Sequence, residues 1–569
     1  MSERFKSSDD AARLRKFLVS LSLCLGFIVA TCGDSIQGDG ISYLDIGDNF
    51  FAGDWNAILN GLWSPLYPFL QGMTRWIFRP SMGWEPAVVN ATNFLIYVST
   101  VFAFDFFWNK LFLLYRLLVS ERQYSIAFSE RQFLAFGYAL FLFIHLDLVT
   151  FVTPDMLLST IIYFLAGLMV EIKLSGISLR GSCVLGILLG VGFLVKAVML
   201  PLAPIFFTCA ILPNFRRRHF ALHLFVVLLA FGIVAGPYVF ELSKKEGHLT
   251  VGEAGALNYA WHIDGAPIIH WQGEIEGTGK PMHPTREIFS SPLIYKFETM
   301  PQATYPPWYD PYYWNDGIKP RFKVTAQLQA FERSSAQLLR AFWSQNGLIA
   351  CILVLLAIRR EPRKTLLDFF RVWYVWLPAV GAIGLYSIVW VEHRYVAQFF
   401  VMFYGAVLTT IHLPERVEGR QIIRAVTIVA VLLLTTRTVI DLAKSCRDGR
   451  RATKIQMEIA EKLLVQGVPH GAKVALLDAG LGEEWQKLIR LSVVDEIPVE
   501  EKAIFWCSDD RKRKLIDDTL SETGAVVVIS TDVPDWAQKI GWERVGSTSV
   551  YFHRLGLSDG FKDSVRPQE

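Results

Sequence analysis

The chain has 569 residues, of which 52% are hydrophobic and 19% charged, with a mean hydropathy of +0.33. That balance excludes an ordinary string of soluble domains and points to a membrane protein. A formal net charge of +3 offers no basic excess for a nucleic-acid partner and says little about any other.

A basic leader, residues 1–16, carries Arg4, Lys6, Arg13, Arg15 and Lys16 and is expected in the cytoplasm. The apolar run after it, residues 17–32, reads as the first of roughly eleven spans. Its charged head is that of a signal peptide, but it has no clear small-residue cleavage site, so a retained anchor is expected.

Directly afterwards comes GDGISYLDIGD, residues 38–48, with three carboxylates (Asp39, Asp45 and Asp48) and no basic residue beside them. Ile41, Leu44, Phe50 and Phe51 are interrupted by Asp45, Gly47 and Asp48, a pattern that suits a short helix lying in the interface. A second such helix is expected in WSPLYPFLQGMTRWIF, residues 63–78, with prolines at its start and Trp and Tyr at headgroup depth. Residues 39–80 would form a ledge with Asp39 at its lip. Asp45 and Asp48 lie one turn apart and are expected to face solvent or cap the helix.

From residue 86 onward apolar runs alternate with basic connectors: residues 110–131, residues 173–180, Arg216-Arg217-Arg218, residues 359–371 and residues 416–424. All fall on the side that span counting makes cytoplasmic, giving an N-terminus inside and a C-terminus outside. The opposite side receives Asp39, Asp155, Glu392, a loop over residues 241–340, and the tail. Asp155 opens a span in TPDMLLS. Lys196 lies in GVGFLVKAVMLP where two short apolar runs meet, and Glu392, Arg394 and Tyr395 sit in VWVEHRYVAQFF at another outer turn. An ionisable group at membrane depth costs on the order of 3 kcal/mol unless it is paired or lines a wet cavity. Singly these have plainer readings: a helix cap for Asp155, snorkelling for Lys196, an exposed ion pair for Glu392 and Arg394. Gathered on one face they imply a shared cavity with acidic and basic walls. A carboxylate there can take a proton from an attacking hydroxyl, and Lys and Arg donors can hold a phosphate leaving group.

Those motifs resemble a family. Asp39 after the first span, Tyr43 one turn on, Gly53-Asp54-Trp55 and Trp63-Ser64-Pro65-Leu66-Tyr67-Pro68 are similar to the first outer loop of polytopic lipid-phosphate-sugar glycosyltransferases of the GT-C fold. The closest groups are glycosyltransferase family 39, the protein mannosyltransferases, and the aminoarabinose transferases of lipid A. Thr153-Pro154-Asp155, Phe193-Leu194-Val195-Lys196 and Glu392-His393-Arg394-Tyr395 resemble later motifs in the same order. The resemblance implies a polytopic α-helical membrane protein that moves a sugar from a polyprenyl-phosphate donor to a protein or glycolipid acceptor, generally with inversion. It implies Asp39 as the catalytic carboxylate, Asp155 as a second acid shaping the pocket, and Lys196 and Arg394 as donor-phosphate ligands. Glu392 would orient Arg394, with Tyr43 and Tyr395 in support. Where many relatives carry a second acid after the catalytic aspartate, this chain has Gly40, which puts acceptor recognition and metal use in question. No required metal is expected; Asp39 with Asp155 would be the hard ligands for a divalent ion. The expected location is a bacterial inner membrane with the active site outside the cytoplasm.

In the outer loop, GEAGALNYAWHID (residues 252–264) reads as a polar lining, and PQATYPPWYDPYYWNDG (residues 301–317) suits either sugar stacking or a rigid packed loop. His262, His270 and His283 lack a zinc spacing and read as structural. The seven cysteines are scattered and read as unpaired small hydrophobes. Residues 442–569 read as a soluble α/β domain with β runs in KVALLDAG and AVVVIS; LDAGLGEEW has only a partial glycine pattern, weak for a nucleotide site. The basic run Arg511–Lys514 reads as a solvated helix face. The expected division is therefore a leader (1–16), a transmembrane domain (17–441) holding the ledge (39–80) and outer loop (241–340), and the tail (442–569). A transporter or flippase of a lipid-linked sugar and an envelope polysaccharide polymerase or ligase are the competing classes; the first should show internal repeats, and none is evident.

Overall fold

The computed structural model describes residues 2–33, 36, 38–121, 125–212, 220–297, 303–358, 362–411, 413–414, 417–477 and 482–556. Arg216, Arg217, Arg218, Arg359 and Arg416 of the basic connectors, Pro301 and Gln302 of the aromatic loop, residues 478–481 of the partial glycine pattern and the last residues, 557–569, lie outside the described residues. The chain forms two compact units, each assembled from three separate stretches. One comprises residues 1–32, 90–264 and 322–446; the other, residues 33–89, 265–321 and 447–569.

The first unit is helical. Among the described residues five helices are long and apolar enough to cross a membrane: Asp9–Cys32, Met82–Ser120, Asp155–Ser175, Phe220–Glu246 and Glu418–Val465. Two bent pairs, Val324–Trp343 with Asn346–Ala357 and Thr365–Arg371 with Trp373–Val389, bring the number to seven if each is one span. Leu179–Val195 and Met199–Ile211 are apolar but shorter, separated by a break at Lys196. Local chemistry sets the ends. Ser129 caps Glu130–His145 in a reciprocal box with Gln132, and the Ser178 hydroxyl accepts from the Gly181 amide at 3.0 Å. Gly186 and Gly190 let Leu179–Val195 approach Phe220–Glu246, since a Cβ on Gly186 would lie 2.3 Å from the Val227 carbonyl oxygen.

Arg15, expected in the leader, donates through Nε to Asp105 at 2.8 Å, and Asp105 also accepts from the Tyr138 hydroxyl at 2.7 Å. This pins the first helix to two others. The cysteine expectation needs one correction: Cys32 and Cys446 form a disulfide, their Cα atoms 4.8 Å apart. Cys32 ends the first apolar run and Cys446 lies in the polar stretch after the last one, so only the fold brings them together. Cys24, Cys183, Cys209, Cys351 and Cys507 are free.

The second unit is built on a seven-stranded sheet. Its strands are β1 Arg286–Ser290, β2 Leu293–Lys296, β3 Lys473–Leu477, β4 Ser492–Ile497, β5 Val527–Ser530, β6 Trp542–Arg544 and β7 Tyr551–Arg554, in the order β1-β2-β4-β3-β5-β7-β6. β4, β3 and β5 are parallel and buried, whereas the outer pairings are antiparallel. The two β runs expected from KVALLDAG and AVVVIS are therefore central, and two strands from the outer loop extend the same sheet. Helix Asp510–Glu522, capped by Asp509 at 2.8 Å to the Lys512 amide, buries Ile516 and Leu520. Arg511 and Lys514 are exposed on that helix.

The two helices of the ledge, Asp39–Phe51 and Leu66–Phe78, belong to this unit and cross at glycines. A Cβ on Gly47 would sit 2.4 Å from the Pro68 carbonyl oxygen, and one on Gly72 would sit 2.5 Å from that of Gly47. Asp45 and Asp48 do not face solvent as expected. Asp45 is 1% exposed, takes the Lys487 ammonium at 2.6 Å and accepts from the Thr304 amide at 2.7 Å. Asp48 meets Arg75 and Lys487 at 2.7 Å and Arg490 at 2.8 Å. Burial alone would raise the Asp48 carboxyl, but these three cations outweigh it and hold it well below the usual carboxylate range. Cations more than 400 residues away in sequence thus buried what looked like a polar helix face.

Candidate functional site

In the first unit, three chain breaks meet. Asp155 is the first residue of helix Asp155–Ser175, Lys196 ends helix Leu179–Val195, and Glu392 immediately precedes helix His393–Thr409. Each charge has the sign favoured at its helix end: acids at N-termini, a lysine at a C-terminus. The helices end there for separate local reasons. Pro154 precedes Asp155, and both Lys196 and Glu392 take extended backbone angles.

The geometry is that of a paired ion cluster. The Lys196 ammonium lies 2.6 Å from Asp155 Oδ1, Arg394 Nε lies 3.8 Å from Asp155 Oδ2, and Arg394 Nε lies 2.6 Å from Glu392 Oε2. Asp155 is 2% exposed, a depth at which a lone carboxylate would be prohibitively costly, so the two cations are required by it. The cations themselves remain partly open, at 22% for Lys196 and 16% for Arg394. Lys196 lies 3.8 Å from the centre of the Tyr395 ring, which stacks on Tyr386 at 5.2 Å.

Residues outside the sequence expectation complete the surroundings. Gln398 receives the Ser159 hydroxyl at 3.1 Å and donates to the Tyr395 carbonyl at 3.1 Å, tying two helices together beneath the cluster. The Trp390 indole donates to Glu392 at 3.2 Å and stacks on His262 at 4.8 Å. His262 is fixed by Arg333, which donates to its carbonyl at 2.6 Å. Trp390 lies in the quoted VWVEHRY motif, but nothing in its type or spacing distinguished it from an interface anchor.

In the second unit, Asp39 opens helix Asp39–Phe51 after Gly38, whose φ of 46° is open to glycine at little cost. Asp39 Oδ1 accepts from the Trp308 indole at 3.2 Å. Trp308 is itself held: its carbonyl accepts from Ser42 Oγ at 2.7 Å and from the Trp63 indole at 3.0 Å. Tyr43 packs edge-on against Trp63 and Tyr67 at 5.0 and 5.2 Å, so its part is to support this corner. The aromatic loop is a packed one. Trp308, Tyr309, Tyr312 and Trp314 are all buried, and Asn49 and Asn60 bond Tyr309 at 3.1 and 3.0 Å. The sequence had flagged this run, but not that one of its indoles would reach Asp39.

The other histidines are occupied. His270 Nε2 lies 3.3 Å from Glu496 and its ring stacks on Tyr295, while His283 stacks on Tyr313 at 4.1 Å. Among the described residues no group of three His, Cys, Asp or Glu side chains is placed to hold a metal ion. Asp155 and Glu392 already face cations, an environment that disfavours a divalent ion there.

Chemically, the cluster offers two partly open cations whose positions are fixed by acids below them, a pairing suited to a phosphate. The second unit offers a carboxylate whose position is fixed by an indole hydrogen bond.

No protein-family model matches the chain, and no curated protein matches it. Among solved structures, ArnT from Cupriavidus metallidurans in the apo state is similar over 94% of this chain and 97% of that one, at a TM-score of 0.53 and 14% identity. The same protein bound to undecaprenyl phosphate matches over the same shares at a TM-score of 0.51 and 13% identity. The fold is therefore shared with that protein along nearly the whole chain.

Proposed function

We propose that the protein is an integral membrane glycosyltransferase that moves a sugar from a polyprenyl-phosphate donor to an acceptor on the extracytoplasmic face. The observation that carries this reading is the Asp155–Lys196–Arg394–Glu392 cluster, two partly open cations braced by acids at meeting helix ends. The fold shared with a protein crystallised with undecaprenyl phosphate supports a lipid-phosphate donor.

In this mechanism Lys196 and Arg394 hold the donor phosphate, with Asp155 and Glu392 as positioning residues. Asp39 accepts the proton of the acceptor hydroxyl. The acceptor oxygen bonds to the anomeric carbon as the bond from that carbon to the phosphate oxygen breaks, and the electron pair leaves on the polyprenyl phosphate. A single displacement of this kind inverts the anomeric centre. Charge developing on the departing phosphate is what the two cations stabilise. About eleven spans with the N-terminus inside and the C-terminus outside would complete the topology. The Cys32–Cys446 disulfide supports an oxidising compartment at that end of the helices.

The test is incubation of the purified protein with a panel of radiolabelled polyprenyl-phosphate sugars and membrane extract. Label passing from the carrier to a new product supports the reading. Carrier lipid moved across vesicles with no transfer would replace it with transport.

A further inference from the structure

Away from the ion cluster, the first unit has a cavity of about 380 Å³ lined by Ile126, Ala127, Ser129, Gln132, Arg420, Ile423 and Arg424. Of its lining, Ile126 belongs to the antiparallel pair Ser125–Ile126 with Leu413–Pro414, and Ser129 and Gln132 form the capped start of helix Glu130–His145. Two features suit it to an anion. Arg420 and Arg424, one helical turn apart on helix Val417–Val465, contribute two guanidinium forks, and among the described residues no carboxylate lines the cavity. Gln132 uses Oε1 in the cap of Ser129 and has a further amide donor on Nε2.

The residues continuing the arginine stripe give the ligand its other half. Positions 420, 424, 428 and 432 recur at four-residue spacing and share a helix face. Beyond the arginines that face carries Ile428 and Leu432, exposed to 49% and 60%. From Arg424 to Leu432 the helix rises about 12 Å, enough to run beside much of an acyl chain. Neither arginine has an ion pair among the described residues. A free phosphate would use the arginines but not the apolar stripe that continues from them.

We propose that this cavity binds the phosphate-bearing headgroup of an anionic lipid, with an acyl chain lying along Ile428 and Leu432. The site is separate from the donor cluster and does not depend on the glycosyl-transfer reading. The experiment is native mass spectrometry of the full-length protein in detergent with phosphatidylglycerol or phosphatidylcholine. Wild type should hold phosphatidylglycerol at least tenfold more tightly, and the Arg420→Gln/Arg424→Gln double variant should lose about 30-fold of that affinity. Arg180→Gln, an exposed arginine outside the cavity, should behave as wild type. Equal binding of the two lipids, or an unchanged double variant, would overturn the proposal. Displacement of phosphatidylglycerol by excess inorganic phosphate, with Leu432→Gln without effect, would overturn the lipid assignment in favour of a free-anion site.

Discussion

Lys487→Met should unseat the ledge. The Lys487 ammonium is 2.6 Å from Asp45 and 2.7 Å from Asp48, with the lysine and Asp45 side chains only 5% and 2% exposed. Asp48 would keep Arg75 and Arg490, so the loss falls on Asp45, whose remaining partners are the Thr304 amide and hydroxyl at 2.7 and 3.1 Å. Breaking a buried pair from one side typically costs about 3–5 kcal/mol. The surviving Thr304 bonds put this case near the lower end, about 3 kcal/mol. For a unit of this size that corresponds to a melting shift of about 6–12 °C. The assay is thermal unfolding in detergent at low and high salt; a pair this buried should give nearly the same shift in both. Adding Asp45→Asn should recover part of the loss, because the stranded charge is then removed. A Lys487→Met melting point within about 1 °C of wild type would show that this pair does not hold the ledge.

Trp308→Phe keeps a ring but removes the N–H that Asp39 accepts, and should lower kcat about tenfold with donor affinity unchanged. A change confined to donor affinity would instead assign Trp308 to donor binding. Lys196→Ala and Arg394→Ala should each weaken donor binding by about 10- to 100-fold in equilibrium assays, and Arg394→Lys should recover little of it because the planar fork is lost. Asp495 is fully buried beside the Thr523 hydroxyl, and burial pushes its carboxyl up to about 7. A raised carboxyl favours the folded state fully only below its unfolded value, and that contribution is lost as pH climbs from about 4 toward 7. Asp495→Asn should therefore melt higher than wild type at pH 8, by at most about 4 kcal/mol, with the difference vanishing on acidification to about pH 4. A difference independent of pH would contradict this.

How much of this was legible in the chain depended on sequence distance. Asp155, Lys196, Glu392 and Arg394 stood out because charge is expensive beside apolar runs, and the structure brings them within hydrogen-bond and ion-pair range of one another. The β runs at residues 473–477 and 527–530 were readable from their composition. The partners of Asp45 and Asp48 were not, because Lys487 and Arg490 sit in an unremarkable short helix and the turn after it. Nor was the extension of the sheet by β1 and β2, whose strands are only five and four residues long within a loop rich in turns. The Cys32–Cys446 bond was hidden by a sequence separation of 414. Trp308 was visible as part of an aromatic run, but a run that is mostly packed offers no sign of which single indole turns toward an acid.

The proposed chemistry rests most directly on Asp39. The decisive measurement compares wild type with Asp39→Asn in single-turnover transfer from a polyprenyl-phosphate sugar, alongside equilibrium binding of the same donor. If Asp39 is the base, donor binding stays within about twofold of wild type and the transfer rate falls by about 100-fold or more, the usual range for loss of a general base. Transfer by Asp39→Asn at close to the wild-type rate would contradict it.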